Sequence, residues 1–550
     1  MRKVTTTVAA ALVALSFAAC NKTNDVTPDN GTGTKGAVVA KIAAGATNRA
    51  LTDGQQDVDA VGGEGKVKDG YLFFKQGQSM DLTMTQDGHK WKSQIFETAP
   101  NSAAKATLLL NKSIELSPAD FDKTKTVSLD NLKDFIKDEG FMMTSTVEAT
   151  DNTLNIEKNK KDADVQGGAN NFNFTVERLV SKLQVSRKKD DALKVSDALN
   201  AMGVVSFDLK YSLAGSAKDA FLFTDNAGER TLDAATDGKH IYKGFKSFID
   251  GVTAPVLQKV SDPKGASTSE YFLDGYYSNA KEVAKVDASN KVSLDAGFFF
   301  LENSMYGGNS VADAKKQILF NRIAYAKVYT TFAPKAGKKI NGNLDKLSYK
   351  TSDLTDAVAS DFTTERTYKV VVPKAWYEAR KDLAEYEGKF TEVPAVTPDP
   401  EHNVAGHDAY VTFEVTDKAG DFYVGRDGKI YDTQLAAAAA GNDTYRKYTG
   451  GKMVYMTPAN AQKAADGDLI NYCDTRRNNI YDLTIVGFEK LGENYDPVDP
   501  KDPNIPEPKD NPGEPEPDPN KPVQEEVTKM MVTATILQWN DVNRDVTLGE

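Results

Sequence analysis

Few residues in this chain are placed to do chemistry. Four histidines, His89, His240, His402 and His407, are spread along 550 residues, and none stands in an H-E-x-x-H pattern or beside a cysteine pair. His402 and His407 lie five apart next to Glu401 and Asp408, a spacing that would permit a weak metal site, although a solvated loop is the plainer reading. Asp53, Asp57 and Asp59 loosely resemble an acidic calcium loop but lack the glycine and terminal glutamate such a loop uses. There is no G-x-S-x-G elbow and no Walker loop. Gly31, Gly33 and Gly36 match G-x-G-x-x-G, but no strand precedes them and no helix follows, so the match is accidental. Cys473, beside Tyr472 and with no histidine nearby in sequence, reads as a packed thiol. A glycosidase pair stays open in principle, because any two of 79 acidic residues could meet. The expectation is no enzyme, no metal and no cofactor.

The sequence speaks more clearly about chemistry done to the chain. Arg2 and Lys3 precede a short apolar run, Val4 to Ala19, that ends at Cys20, the pattern of a secretion signal. Ala18 and Ala19 directly before Cys20 suit lipoprotein signal peptidase, with Phe17 where Leu is more usual; the alternative is an ordinary signal cleaved nearby. Cys20 is therefore the candidate lipidation site. A polar tether follows, then a short apolar stretch, Ala37 to Ala44, that reads as a strand. Arg49 comes next, in a loop-like run of small and polar residues where a trypsin-like protease could cut before Ala50.

The elements that give these sites meaning lie at the other end. From Asp496 to Glu526 proline recurs every few residues among charged ones, so backbone donors are missing and no core can form. As polyproline II at ~3.1 Å per residue, such a spacer of roughly 30 residues could reach on the order of 90 Å. Beyond it Met530, Val532, Ala534 and Ile536 alternate with Thr533 and Thr535, and Leu537 and Trp539 add bulk to the second side. A lone strand is not stable in water, so this one must pair. A tethered strand suits β-strand addition to a neighbouring molecule; the alternative is that it folds back as the last strand of its own domain.

Between the ends, composition (40% hydrophobic, 27% charged) suits two or more globular domains with ample core. Candidate strands recur at Tyr71–Phe74, Ala106–Leu110, Asn171–Ser186, Val204–Leu213, Ala220–Thr224, Asp295–Asn303, Ala324–Phe332, Tyr368–Val372, Tyr410–Thr416, Lys452–Met456 and Arg477–Lys490. Helical patterns are expected at Asp130–Lys137, Ser310–Ala324, Lys374–Tyr386 and Leu435–Ala440, the last closed by Gly441. No repeat of 20 to 50 residues is evident. Residues 1–49 carry six Lys/Arg and two Asp/Glu, so the remainder holds 61 basic and 77 acidic residues, a net charge of −16. That excess argues against nucleic acid and anionic lipid as partners.

The lipoprotein signal, an Arg about 30 positions after the lipid cysteine, the RNNIYDLTI…GFEKLG strand and the Pro/acid spacer ending in WNDVNRDVTL together resemble the type V fimbrillins of Gram-negative anaerobes, most of all the major shaft subunit of their short, or minor, fimbria. The two ends are the specific part of the resemblance; Gly549 and Glu550 run slightly past the usual end. It implies a mainly β chain of two transthyretin-like antiparallel β-sandwich domains with small helical inserts. The expected division is signal peptide 1–19, propeptide with leader strand 20–49, N-terminal sandwich 50–225, C-terminal sandwich 226–495, spacer 496–526 and donor strand 527–550. It further implies a precursor lipidated at Cys20 in the outer membrane, a leader strand Val38–Ile42 filling a groove in its own first sandwich, and cleavage after Arg49 by an Arg-specific surface protease. The groove is then filled by the next subunit's polymerisation strand (Met530, Val532, Ala534, Ile536, Leu537, Trp539) and tail (Asn540, Val542, Asp545, Val546, Thr547, Leu548). Implied partners are copies of the chain head-to-tail, fimbrial anchor and tip subunits, and host or bacterial surface ligands, with membrane contact only through the precursor lipid. The rival readings are a surface lipoprotein that binds or processes glycans, and a tip or anchor adhesin.

Overall fold

The computed structural model describes residues 36–42, 55–56, 62–74, 79–87, 90–98, 101–121, 125–128, 131–145, 153–157, 160, 162–166, 170–174, 176–214, 219–223, 280–286, 297–302, 324–372, 374–392, 411–460, 475, 477–494, 530–538 and 541–542. The fold is mainly β, with short helices between strands. Among the described residues the strands form a 10-stranded sheet, an 8-stranded sheet, two 5-stranded sheets, a 3-stranded sheet and two small ribbons. Most pairings are antiparallel, as the alternating sequence requires.

The apolar runs become strands where expected. Tyr71–Phe74 lies within Asp69–Phe74, Ala106–Leu110 within Asn101–Leu110, and the aromatic run FFFL forms Phe298–Leu301. Tyr410–Thr416 is the strand Val411–Asp417, with Val411, Phe413 and Val415 buried and Glu414 and Thr416 exposed. Thr412 departs from the alternation and is buried, because its hydroxyl donates to the Thr391 carbonyl (3.0 Å) of the neighbouring Phe390–Glu392 strand. The helix Gln434–Ala439 starts at Thr433, whose Oγ1 accepts from the Ala436 amide, and Gly441 beyond it has the left-handed φ of 85° that favours glycine.

Other expectations shorten. Asp130–Lys137 yields one turn, Leu132–Phe135, before the chain turns to strand at Ile136. Lys374–Tyr386 is α-helical only over Lys374–Glu378, with a separate 3-10 turn at Ala384–Tyr386, because its aromatic residues pack as a cluster: Trp376 meets Tyr386, Phe390 and Phe413 edge-on at 5.2–5.9 Å, and Leu383 takes an extended conformation. Asn171–Ser186 is three successive strands. The helical pattern at Ser310–Ala324 lies outside the described residues up to Ile323.

Several strand pairings join residues before 225 to residues after it. Lys182–Arg187 runs parallel to Ile480–Ile485, Gly203–Val205 pairs with Phe332–Pro334, and Lys210–Ala214 pairs with Tyr325–Tyr329. These pairings close one apolar core holding Leu183, Leu213, Phe300, Val328 and Leu483, all fully buried. A second core lies later in the chain, around Tyr368, Val370, Phe413, Val415 and Leu435. A buried ion pair, Glu302–Arg477, also reaches back across these residues to Leu222. Arg477, 1% exposed, donates from Nε to Glu302 Oε1 (2.8 Å) and from a terminal nitrogen to the Leu222 carbonyl (2.9 Å).

Removing one partner from such a pair leaves a buried charge without compensation. Glu302→Ala should destabilise the fold by about 3–5 kcal/mol, measured as a lowered denaturant midpoint, whereas Glu302→Leu with Arg477→Met should restore most of the loss.

Candidate functional site

The stretch expected as a leader strand, Val38–Ile42, lies in the strand Gly36–Ile42, which is interior to its sheet. On one side Val39, Ala40, Lys41 and Ile42 run parallel to Asn171, Phe172, Asn173 and Phe174. On the other, Gly36–Val38 lies antiparallel to Phe96–Thr98 and Lys41–Ile42 antiparallel to Trp91–Lys92. A strand with neighbours on both sides uses both rows of its backbone groups. Among the described residues it is also the one link between Asn171–Phe174 and the rest of that sheet. Phe174 is 1% exposed, and Trp91 and Phe96 pack partly buried against the core.

Among the described residues the chain next pairs at Gln55–Gln56, in a different sheet, where it lies against Asp541–Val542. Arg49 and Ala50 sit in the connection between them, outside the described residues, as does Cys20. Downstream the chain is pinned again at Glu64. Its carboxylate accepts from Lys182 Nζ (2.8 Å) and its carbonyl from Arg178 Nε (2.7 Å), and both the Lys182 and Glu64 side chains are buried. A cut in the connection therefore releases only what precedes it: residues from Glu64 onward keep their buried anchor.

The terminal strand is Met530–Gln538, and in the single chain it takes the fold-back position. It lies antiparallel to Asn479–Phe488 over nine residue pairs, with a register shift between Ile485 and Gly487. Val532, Ala534 and Ile536 stand opposite Ile485, Leu483 and Tyr481, all buried, while Thr533 and Thr535 stand opposite Thr484 and Asp482, which are only partly buried. The alternation read from the sequence thus matches the alternation of its partner. Met530 and Leu537 belong to the same strand, and Val542 belongs to Asp541–Val542, which turns back on Ile536 and Leu537. Trp539, Asn540, Asp545, Val546, Thr547 and Leu548 lie outside the described residues.

No group of three or more His, Cys, Asp or Glu among the described residues is arranged to hold a metal. The four histidines, Cys473 and the Asp53, Asp57, Asp59 group lie outside them. No described helix is long and apolar enough to cross a membrane. The Glu64 anchor carried no signal in the sequence, since its partners are more than a hundred residues away.

Residues 446–545 match the family model described as major fimbrial subunit protein type IV, fimbrillin, C-terminal. Over these residues the chain is similar to the C-terminal region of fimbrillins. The match takes in both the Asn479–Phe488 strand and the terminal strand laid on it. No curated protein matches the sequence. Solved structures with loose similarity include a fimbrilin of Porphyromonas gingivalis W83, at 14% identity over 92% of this chain and 99% of that one with a TM-score of 0.37. A tip fimbrial protein of Porphyromonas gingivalis with C-terminal truncation aligns at 10% identity over 61% and 94%, TM-score 0.25. A fimbrial assembly protein of Parabacteroides distasonis aligns at 10% over 62% and 91%, TM-score 0.23. Scores this low carry no argument about individual residues.

The terminal strand covers one side of Asn479–Phe488, whose other side is taken by Val180–Lys188. Truncation before Met530 should therefore turn a central strand into an edge. Hydrogen-exchange mass spectrometry should show faster amide exchange in residues 479–488 than in the full chain, while the Asp69–Phe74 strand keeps its protection.

Proposed function

We propose that this chain is a structural shaft subunit of a cell-surface fimbria that contributes to adhesion and biofilm formation. It is exported as a lipoprotein through Cys20, matured by cleavage after Arg49, and polymerised when its terminal strand takes the place of a neighbour's leader strand. The observation that carries this reading is the interior position of Gly36–Ile42, joined to the rest of the chain by a short connection that contains Arg49. Cutting that connection leaves the leader held only by its own contacts. Its departure would strand backbone groups on two neighbouring strands and open the core beside Phe174, a state that favours any strand able to fill the gap. If four large side chains of the incoming strand become buried at ~1.5–3 kcal/mol each, roughly 6–12 kcal/mol of apolar burial accompanies the new ladder, reduced by association costs. Because the groove lies on one subunit and the strand on the next, the contact is head-to-tail and propagates as a filament.

On this reading the terminal strand stays parked on Asn479–Phe488 until a groove is available, and the Pro-rich spacer gives it the reach to leave. The partners are further copies of the chain, anchor and tip subunits, and an Arg-specific surface protease. The chain has both an Arg site and a tethered strand, whereas a tip needs no donor and an anchor keeps its lipid, which favours the shaft role over the tip or anchor. A glycan-binding lipoprotein would keep its lipid and not need the strand.

Arg49→Ala should yield a full-length lipidated precursor that stays monomeric. Gel analysis of the surface fraction with electron microscopy checks this, and normal filaments from the variant would refute cleavage gating.

A further inference from the structure

Where the second core meets the 3-stranded sheet, one lysine lies between two aspartates in a water-excluded site. Lys447, on the strand Tyr445–Tyr448, places Nζ 2.9 Å from Asp417 Oδ1 and 3.1 Å from Asp421 Oδ2. The side chains are 9%, 0% and 2% exposed. Asp417 ends the strand Val411–Asp417 of the 3-stranded sheet, and Asp421 stands just before Phe422–Gly425, which pairs with Tyr445–Tyr448 in a 5-stranded sheet.

The two carboxylates are held differently. Asp417 receives a hydroxyl on each oxygen, Tyr423 on Oδ1 at 2.7 Å and Tyr368 on Oδ2 at 2.8 Å. Burial, together with Asp417, pushes both tyrosines well above their ordinary pKa, so both remain proton donors. Two such donors polarise the carboxyl carbon and would stabilise negative charge developing on its oxygens. Asp421 is held by backbone amides, Lys418 on Oδ2 at 3.0 Å and Gly450 on Oδ1 at 2.7 Å, while Oδ2 also faces the lysine. Burial alone would lower the Lys447 pKa, but the two aspartates more than offset it, and the resting state is an ion pair. Taking such charges out of water is costly, and joining them into a neutral amide removes that cost. An attacking nitrogen already in van der Waals contact with the carboxyl group has little entropy left to lose.

We propose that Lys447 and Asp417 condense into an intramolecular amide, with Asp421 as the proton carrier. A proton crosses from the Lys447 ammonium to Asp417, giving an amine and a carboxylic acid. The Nζ lone pair attacks Cγ, forming the N–C bond, while the C=O electrons move onto the oxygen that a tyrosine hydroxyl contacts. Asp421 takes a proton from the nitrogen and delivers it to the departing hydroxyl. The C–O bond breaks, water leaves, the carbonyl reforms and Asp421 returns to its carboxylate. No oxidant or cofactor enters the balance. Arginine pairs such as Arg366–Asp432 cannot react this way, because a guanidinium stays protonated. The product would tie the 3-stranded sheet to the 5-stranded sheet by a covalent bond, closing a loop of about 30 residues as a disulfide would, in a chain whose two cysteines, Cys20 and Cys473, are far apart in sequence.

The test is tryptic digestion of the folded, purified full chain, followed by tandem mass spectrometry. The amide blocks cleavage after Lys447, so the expected product is a branched peptide joining residues 390–418 to residues 447–452, lighter by one water than the two together. Asp421→Ala should abolish the branched peptide in a chain whose circular dichroism is unchanged. Asp417→Asn should still cross-link, losing ammonia instead of water. If the wild-type digest contains only the linear 390–418 peptide, with cleavage after Lys447, the amide does not form and the proposal is overturned whatever the variants do. The outcome is independent of whether the chain polymerises.

Discussion

A strand with a partner on each side is the constraint around which this chain is arranged. Gly36–Ile42 has Asn171–Phe174 on one side and Trp91–Lys92 and Phe96–Thr98 on the other, so it completes a sheet that does not close without it. Unpaired backbone donors and acceptors cost about 1–3 kcal/mol each when they stay buried. A site with that requirement cannot remain empty cheaply. In the account offered here, one cleavage event changes what fills the site without changing the site itself.

The terminal strand meets the same requirement from the other side. In the single chain it satisfies its backbone on Asn479–Phe488 over nine pairs, with its alternating residues opposite the alternating burial of that strand. Moving to another subunit exchanges one ladder for a position between two neighbours, so the gain comes from the second partner row and from the core beside it. The cost is an exposed edge on Asn479–Phe488. Among the described residues the first pairing after Ile42 is Gln55–Gln56 on Asp541–Val542, in the sheet that holds the terminal strand. Anchorage at Glu64 by Lys182 and Arg178 keeps the body of the fold intact whatever happens upstream.

Much of this was legible in the sequence because period-2 alternation and punctuation are local. Val411, Phe413 and Val415, the FFFL run and the NIYDLTIVGF run are strands for the reason their residue order suggests. The leader strand and the terminal strand were visible in the same way. What was not legible depends on partners far apart in the chain. Lys182–Arg187 finds its neighbour at Ile480–Ile485, a pairing no local pattern records. The Trp376 helix is cut short because its rings find Phe390 and Phe413 across a sheet. Lys447 gives no hint of its setting in the run YRKY; only folding brings Asp417 and Asp421 to its amine. The fold-back of the terminal strand was the alternative to its pairing elsewhere, and both readings use the same face of the same residues.

The central claim is that the terminal strand must leave its own chain for subunits to join. Thr484 and Thr533 stand directly opposite in the two paired strands, at a separation that a disulfide can span. With both changed to cysteine and Cys473 changed to serine, the processed monomer can be locked by oxidation and freed by reduction. The account predicts no filaments from the oxidised monomer and normal filaments after reduction, both by electron microscopy. Filaments of equal length and number from the oxidised form would contradict it.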